Sequence, residues 1–246
     1  MPVVKYLADS LLNAGLLLLT GLIPWLLIAL ILQLLSGAIR RSAANIFGIK
    51  TYIYLTAPGV MIHELGHLIF CWIFRHEVTE VQLFSPSDDG TLGYVNHRYN
   101  PESLYQRIGN FFIGTGPVWG GIAVLHLITS WLIPDFEYTF ASFTSHFFTF
   151  SFWASWRSWL WLYLAFTIIS HVTLSKEDLH GAKDGFSVII GTVLFCSLGL
   201  GWLGNWEKIC IDFLLQLFIG FLPLLLTVCG FSLLLAFILL SFRKRR

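Results

Sequence analysis

Long runs of apolar residues, separated by short polar stretches, cover most of the 246-residue chain. Runs of about 20 apolar residues are long enough for a helix to cross the hydrocarbon core of a bilayer. The pattern predicts an all-α polytopic membrane protein with about six transmembrane helices, within a range of five to seven. The predicted spans are Leu11–Leu35, Thr51–Phe74, Ile108–Ile133, a span within Phe140–His171, Phe186–Leu203 and Ile211–Phe242.

The only long polar region, Arg75–Arg107, lies between the second and third predicted spans. Within it, the stretches EVTEVQLF and TLGYVNHRY are rich in β-branched and aromatic residues, and the turn-forming stretch SPSDDG joins them. Two such stretches joined by a turn are typical of two paired strands. The sequence therefore predicts a short β-hairpin between the second and third spans.

Two features leave the number of spans open. The first half of Phe140–His171 is aromatic, rich in hydroxyl groups and contains Arg157, which suits an interfacial or re-entrant segment. Six spans would also place a basic loop containing Arg40 and Arg41 on the opposite side of the membrane from the RKRR tail. The positive-inside rule favours the cytoplasm for both, and five or seven spans would satisfy it.

Composition agrees with a membrane protein. The chain is 56% hydrophobic and 12% charged, and the charged share is roughly half that of a soluble domain. A net charge of +1 and the lack of a basic face give no indication of nucleic-acid binding, and the four cysteines have no metal-site or redox spacing. We expect residues 1–246 to form a single integral membrane domain with multiple spans, located in the inner membrane if the source is prokaryotic.

The second predicted span contains the motif HELGH, which places three ionisable groups in an apolar run. On a helix, His63 and His67 project from the same face one turn apart, so both imidazoles can bind one zinc ion. Glu64 points about 100° away, where its carboxylate can accept a proton from an attacking water. The alternative is a set of polar groups paired within a helix core. Ionisable groups at membrane depth are costly and usually functional, which favours a zinc site.

Together with the hairpin, the stretch GTGPVWGG and a later aspartate, HELGH resembles the site-2 protease class of intramembrane zinc metalloproteases, especially its compact prokaryotic-type members. The resemblance covers roughly residues 51–186. It implies that His63, His67 and a later aspartate bind zinc, that Glu64 is the general base, and that the chain cleaves membrane proteins within or near the bilayer. One departure is Gly120, which stands where the family usually has an asparagine three residues after the proline.

Two aspartates in SKEDLHGAKDG are candidates for the third zinc ligand. Asp184 matches the Asp-Gly dipeptide of the family, whereas Asp178 fits the Ser-x-x-Asp-x-x-Gly pattern of divergent members. We favour Asp178, because the small residues Gly181 and Ala182 would let its helix approach the zinc helix. Asp178 would otherwise cap a helix with a neighbouring serine, and Asp184 would be a turn residue. The nearby histidine at position 180 (His180) is a weaker candidate.

Two further regions have both a functional and an ordinary interpretation. The glycines around Pro117 indicate either a broken helix beside the active site or simple small-residue packing. The hairpin Val78–Tyr99 either offers a strand edge to an unwound substrate or is a solvated surface feature. In it, Asn96 and His97 could polarise a substrate carbonyl, or could be ordinary exposed residues.

Three functions fit these observations. The first is a zinc-dependent endopeptidase whose partners are transmembrane or membrane-associated protein substrates. The second is a membrane zincin that acts on soluble or lipid-modified peptides. The third is a non-catalytic, zinc-stabilised membrane protein that binds clients, which the presence of Glu64 disfavours because a structural zinc site needs no base.

Overall fold

A computed structural model describes residues 3–137, 140–200 and 206–241. The predicted RKRR tail and the last three residues of the predicted span Phe186–Leu203 lie outside the described residues. The described part is mostly helical, with one small antiparallel sheet. Its elements are α1 (Val3–Phe47), α2 (Ile49–Leu55), α3 (Ala57–Ile73), β1 (Glu77–Gln82), β2 (Tyr94–Arg98), α4 (Leu104–Gly114), α5 (Gly116–Leu132), α6 (Phe140–Phe147), α7 (Phe150–Ala154), α8 (Trp156–His171), α9 (Lys176–Leu200) and α10 (Trp206–Ser241).

The predicted hairpin is confirmed. Strands β1 and β2 pair antiparallel, with Glu77 opposite Arg98 and Gln82 opposite Tyr94. The register shifts between Val78 and Glu80, which indicates a bulge in β1. The hairpin follows α3 directly, and its strands contact that helix.

The basic stretch that was predicted as a loop is helical. Arg40 and Arg41 lie inside the 45-residue helix α1. Polar side chains earlier in α1 contact neighbouring parts of the chain: the Ser36 hydroxyl donates to the Ile169 carbonyl at 2.5 Å, and the Gln33 amide donates to the Leu174 carbonyl at 3.3 Å. The polar stretch after α8 forms the first turns of α9, which begins at Lys176.

Two predicted spans are broken inside their apolar runs. Thr56 separates α2 from α3, and Thr115 separates α4 from α5, where the chain bends by 60°. Pro117 stands at the start of α5, and a proline has no N–H with which to continue the hydrogen bonds of the preceding helix. The second break therefore frees backbone carbonyls at the end of α4.

Among the described residues, two helical segments are long and apolar enough to cross a membrane, Val3–Gly21 and Lys176–Gly199. The bent pair α4–α5 is a third candidate if it counts as one span, and α3 is a shorter apolar helix. These features are compatible with a membrane protein. Among the described residues they number fewer than the six spans predicted, in part because breaks divide the apolar runs into helices such as α3 and α8, of 17 and 16 residues.

Helix α3 packs against α5 and α8, while α4 packs along α9. The crossing of α3 and α5 is close: a methyl group on Gly66 would lie 2.6 Å from the Gly116 carbonyl oxygen. Small residues at both positions therefore bring α3 next to the break between α4 and α5. The ends of α4, α8 and α9 meet around the middle of α3.

Candidate metal centre

His63 and His67 lie one turn apart on α3, and their Nε2 atoms are 3.3 Å from each other. The His67 side chain is buried, and His63 is partly buried. The i, i+4 spacing predicted from HELGH therefore brings the two imidazoles together at one point.

Backbone carbonyls at the ends of two helices accept hydrogen bonds from the two imidazole rings. His67 Nδ1 donates to the Ile113 carbonyl at 2.8 Å. In an unbroken helix that carbonyl would accept from residue 117, which is proline and has no N–H. His63 Nδ1 donates to the carbonyl of His171 at 2.9 Å, at the end of α8. Because each Nδ1 carries the hydrogen, each Nε2 is left with a lone pair.

Asp178 completes the group from the first turn of α9. Its Oδ1 lies 3.3 Å from His67 Nε2, and its Oδ2 lies 3.9 Å from His63 Nε2. The same carboxylate forms a capping box with Ser175: the Ser175 N–H donates to Asp178 Oδ2 at 2.7 Å, and the Asp178 N–H donates to Ser175 Oγ at 3.0 Å. The helix cap and the contact with the histidines thus use one side chain, and the cap fixes its orientation.

These three residues fit a metal ion. Their ligand atoms all lie within 4.8 Å of one another, and their lone pairs converge, which is repulsive unless a cation lies between them. Two ligands of a tetrahedral zinc ion, each about 2.0–2.1 Å from the metal, lie about 3.3–3.4 Å apart. The 3.3 Å between the two Nε2 atoms matches this spacing. His63, His67 and Asp178 could therefore hold a metal ion.

The other candidate ligands lie elsewhere. Asp184 and His180 are exposed on α9 and do not belong to the group. The reason given for favouring Asp178 is only partly correct, because α9 packs along α4 rather than against α3. Ala182 is buried against the end of α4, whereas a methyl group on Gly181 would meet open space.

Glu64 follows His63 on α3 and is 6% exposed. Its side chain lies under the hairpin, because a methyl group on Gly93 would be 2.9 Å from Glu64 Cγ and 2.8 Å from the Gln82 carbonyl oxygen. Because residue 93 is glycine, the backbone just before β2 can pass directly over Glu64. The motif HELGH identified Glu64 from sequence, but the approach of Gly93 depends on how the hairpin folds back onto α3.

A cavity of about 980 Å³ opens onto these groups, and its lining includes His63, Glu64 and His67. The hairpin contributes one wall, including Asn96 and His97, while the first residues of α9 contribute another. Helix α1 also lines it, through residues that no sequence motif links to the site: Gln33, Leu34, Gly37, Arg40 and Arg41. Only a repeating pattern of polar residues along one face of α1 could have indicated this wall.

No family model, curated protein or solved structure matches the chain. The resemblance to the site-2 protease class consequently rests on the motifs themselves. The geometry adds a group that could hold a metal ion, with an acidic residue next to it on the same helix.

Proposed function

We propose that the chain is a zinc-dependent endopeptidase that cleaves peptide bonds of membrane proteins within or near the bilayer. One observation carries the proposal: three ligand atoms converge beside Glu64 on the wall of a large cavity. A structural metal site needs neither a cavity nor a carboxylate that is not a ligand. Catalysis needs both.

Zinc is the metal that this donor set suits best. Two imidazoles and one carboxylate make three protein ligands, the number typical of catalytic zinc sites, whereas structural zinc sites have four. When bound, the metal supplies a Lewis acid that polarises a carbonyl. The carbonyls that accept from His63 and His67 fix the orientation of both rings and leave each Nε2 free to bind the metal.

Glu64 is the proposed general base. Its carboxylate takes a proton from the attacking water and passes it to the nitrogen of the leaving amine, so that one group serves both halves of the reaction. The backbone of Gly93 covers Glu64 on one side and limits the directions from which water and substrate approach. We expect the Gly93 backbone to help keep the water and the substrate carbonyl correctly positioned relative to the Glu64 carboxylate.

The substrate proposed is a transmembrane or membrane-associated protein. We infer a multi-pass membrane location for the chain, based on its apolar runs and the helices long enough to cross a bilayer. A substrate helix must unwind before its carbonyls can be attacked. Each hairpin strand has a second edge without a partner strand among the described residues, and an extended segment can add to such an edge by backbone hydrogen bonds.

The test is cleavage of a single-span protein co-expressed with the chain. Glu64→Gln keeps the shape and the metal but cannot accept the proton, and losing a general base typically costs 10²–10⁴-fold in rate. We expect the wild-type protein to cleave the substrate, the Glu64→Gln variant not to cleave it, and a zinc chelator to block cleavage by the wild type. His63→Ala or His67→Ala should remove most of the bound zinc, measured by metal analysis of the purified protein, whereas Glu64→Gln should retain it.

Helix-breaking residues in the substrate separate this proposal from its alternatives. Cleavage of a membrane span should require them, whereas a zincin that acts on soluble or lipid-modified peptides should be indifferent to them. Equal cleavage by wild type and Glu64→Gln would overturn the protease proposal and leave a non-catalytic, zinc-stabilised, client-binding protein.

A further inference from the structure

Outside the metal centre, two more histidines form a pair at the base of the hairpin. His76 follows α3, and His97 lies on β2. Their Nδ1 atoms are 3.0 Å apart, and their ring centroids are 4.9 Å apart. His76 Nε2 also lies 2.9 Å from the carbonyl oxygen of Gln106 on α4. The pair links the end of α3, the hairpin and α4.

The ring nitrogens that carry hydrogen in His76 and His97 can be assigned by starting from the Gln106 carbonyl. The Gln106 carbonyl can only accept, so His76 Nε2 carries a hydrogen. Burial lowers the pKa of His76, which keeps this ring neutral and leaves its Nδ1 with a lone pair. His97 Nδ1 must then donate to His76 Nδ1 across the 3.0 Å contact.

The remaining nitrogen of His97, Nε2, is therefore an acceptor. Burial, followed by the neighbouring His76 and His67, lowers the pKa of His97 to about 4, so this ring is also neutral at pH 7. His97 lines the cavity in front of the metal centre. Its Nε2 has no hydrogen-bond partner in the part of the chain that the structure describes.

With these hydrogen positions, His97 is not available to polarise a substrate carbonyl. Polarising a carbonyl requires a hydrogen-bond donor, and the donor hydrogen of His97 is already used by His76. The nitrogen of His97 that remains available to a ligand, Nε2, therefore carries a lone pair. The matching group on a peptide is a backbone N–H, which every extended segment presents to a neighbour and which has no partner once the substrate helix is unwound.

We propose that His97 Nε2 forms a subsite that accepts one backbone N–H of the unwound substrate, with His76 holding the ring in the accepting tautomer. The proposal rests on the proposed protease function for the identity of the ligand as a peptide. It makes His97 a binding residue and His76 a positioning residue. Recognition through the backbone places no demand on substrate side chains, as suits cleavage of unrelated sequences.

The test uses a synthetic single-span peptide with a helix-breaking Asn-Gly pair near one end, and a set of analogues in which one backbone amide at a time is replaced by an ester. An ester lacks the N–H but keeps the shape of the chain. Binding is measured on the full-length, zinc-loaded Glu64→Gln protein in detergent, so that the readout does not depend on catalysis. At one position, we expect the ester to weaken binding by about 5- to 150-fold, the cost of leaving a buried acceptor unpaired.

Two variants at position 97, made in the same Glu64→Gln protein, distinguish recognition from support of the fold. His97→Gln places an amide oxygen near the position of Nε2, and we expect it to retain sensitivity to the ester. His97→Asn can still donate to His76 but does not reach into the cavity, and we expect it to bind the amide and ester peptides equally. If the ester penalty is the same in all three proteins, or if no position shows a penalty, the subsite proposal is wrong.

Failure of the protease proposal gives a different result. A wild-type protein that binds the amide peptide with the expected ester penalty but does not cleave it would overturn the protease proposal and leave the subsite intact. A protein that cleaves the peptide without any ester penalty would overturn the subsite alone. If the protein does not bind the amide peptide at all, the subsite proposal is also wrong.

Discussion

Replacing Asp178 by asparagine separates the two roles of its carboxylate. The asparagine oxygen can still accept from the Ser175 N–H, so the cap on α9 persists in part. Its amide nitrogen would then take the position of Oδ1, which lies 3.3 Å from His67 Nε2, and an amide N–H cannot bind a metal ion. The substitution therefore removes one of three metal ligands while keeping side-chain size.

The expected loss of zinc affinity follows from the number of ligands. Structural zinc sites with four protein ligands bind zinc with an apparent free energy of about 10–16 kcal/mol, or roughly 2.5–4 kcal/mol for each ligand. Since about 1.4 kcal/mol corresponds to a tenfold change, we expect Asp178→Asn to bind zinc about 10²–10³-fold more weakly. The lost charge at the helix N-terminus costs only about 0.3–1 kcal/mol of stability, so the fold should remain.

The assay is competition for zinc between the purified protein and a chromophoric chelator, with thermal unfolding of the metal-free protein as the measure of stability. Asp184→Asn is the matched control, because it makes the same change at an exposed site on the same helix. We expect it to leave zinc affinity unchanged. An Asp178→Asn protein within threefold of wild type in zinc affinity would refute the ligand assignment, and a selective loss in Asp184→Asn would transfer the role to Asp184.

Two further substitutions test the packing that positions the site. A methyl group on Gly114 would collide with the Asp178 carbonyl oxygen and lie 2.9 Å from the Ala182 backbone nitrogen, so we expect Gly114→Ala to displace α9 and weaken zinc binding at least tenfold in the chelator assay. Gly181→Ala on α9 meets open space and serves as its control, with stability raised by about 0.5–1 kcal/mol in thermal unfolding. Gly93→Ala would press on Glu64 and should reduce cleavage about 10–100-fold while zinc stays bound.

Normal zinc affinity in Gly114→Ala would mean that α9 does not depend on this contact for the position of its first turn. Loss of zinc in Gly93→Ala would mean that the hairpin supports the ligands rather than the general base.

Local sequence signals predicted the parts of the site that lie on one element. The spacing of His63, Glu64 and His67 follows from the geometry of a single helix, and both hairpin strands fall within the stretches predicted for them. The break at the Gly-Pro pair could also be anticipated, because a missing N–H is a local property. In these cases the sequence carries the full physical cause.

Contacts between distant elements could not be predicted in the same way. The choice between Asp178 and Asp184 depends on how α9 packs along α4, and both residues lie in similar polar surroundings in the sequence. The position of Arg40 at the cavity reflects hydrogen bonds from α1 to the end of α8 and the segment after it. The pairing of His76 with His97 requires the hairpin register, which no residue of the pair determines alone.

The order in which the chain is synthesised adds a consequence to the placement of the ligands on α3 and α9. Asp178 is made roughly 110 residues after His67, which corresponds to a delay on the order of 5–20 s at about 5–20 residues per second. The carbonyls of Ile113 and His171, which hold the two rings, are also made within that interval. Under the proposed function, a nascent chain therefore cannot cleave neighbouring proteins at the insertion site until α9 has been made.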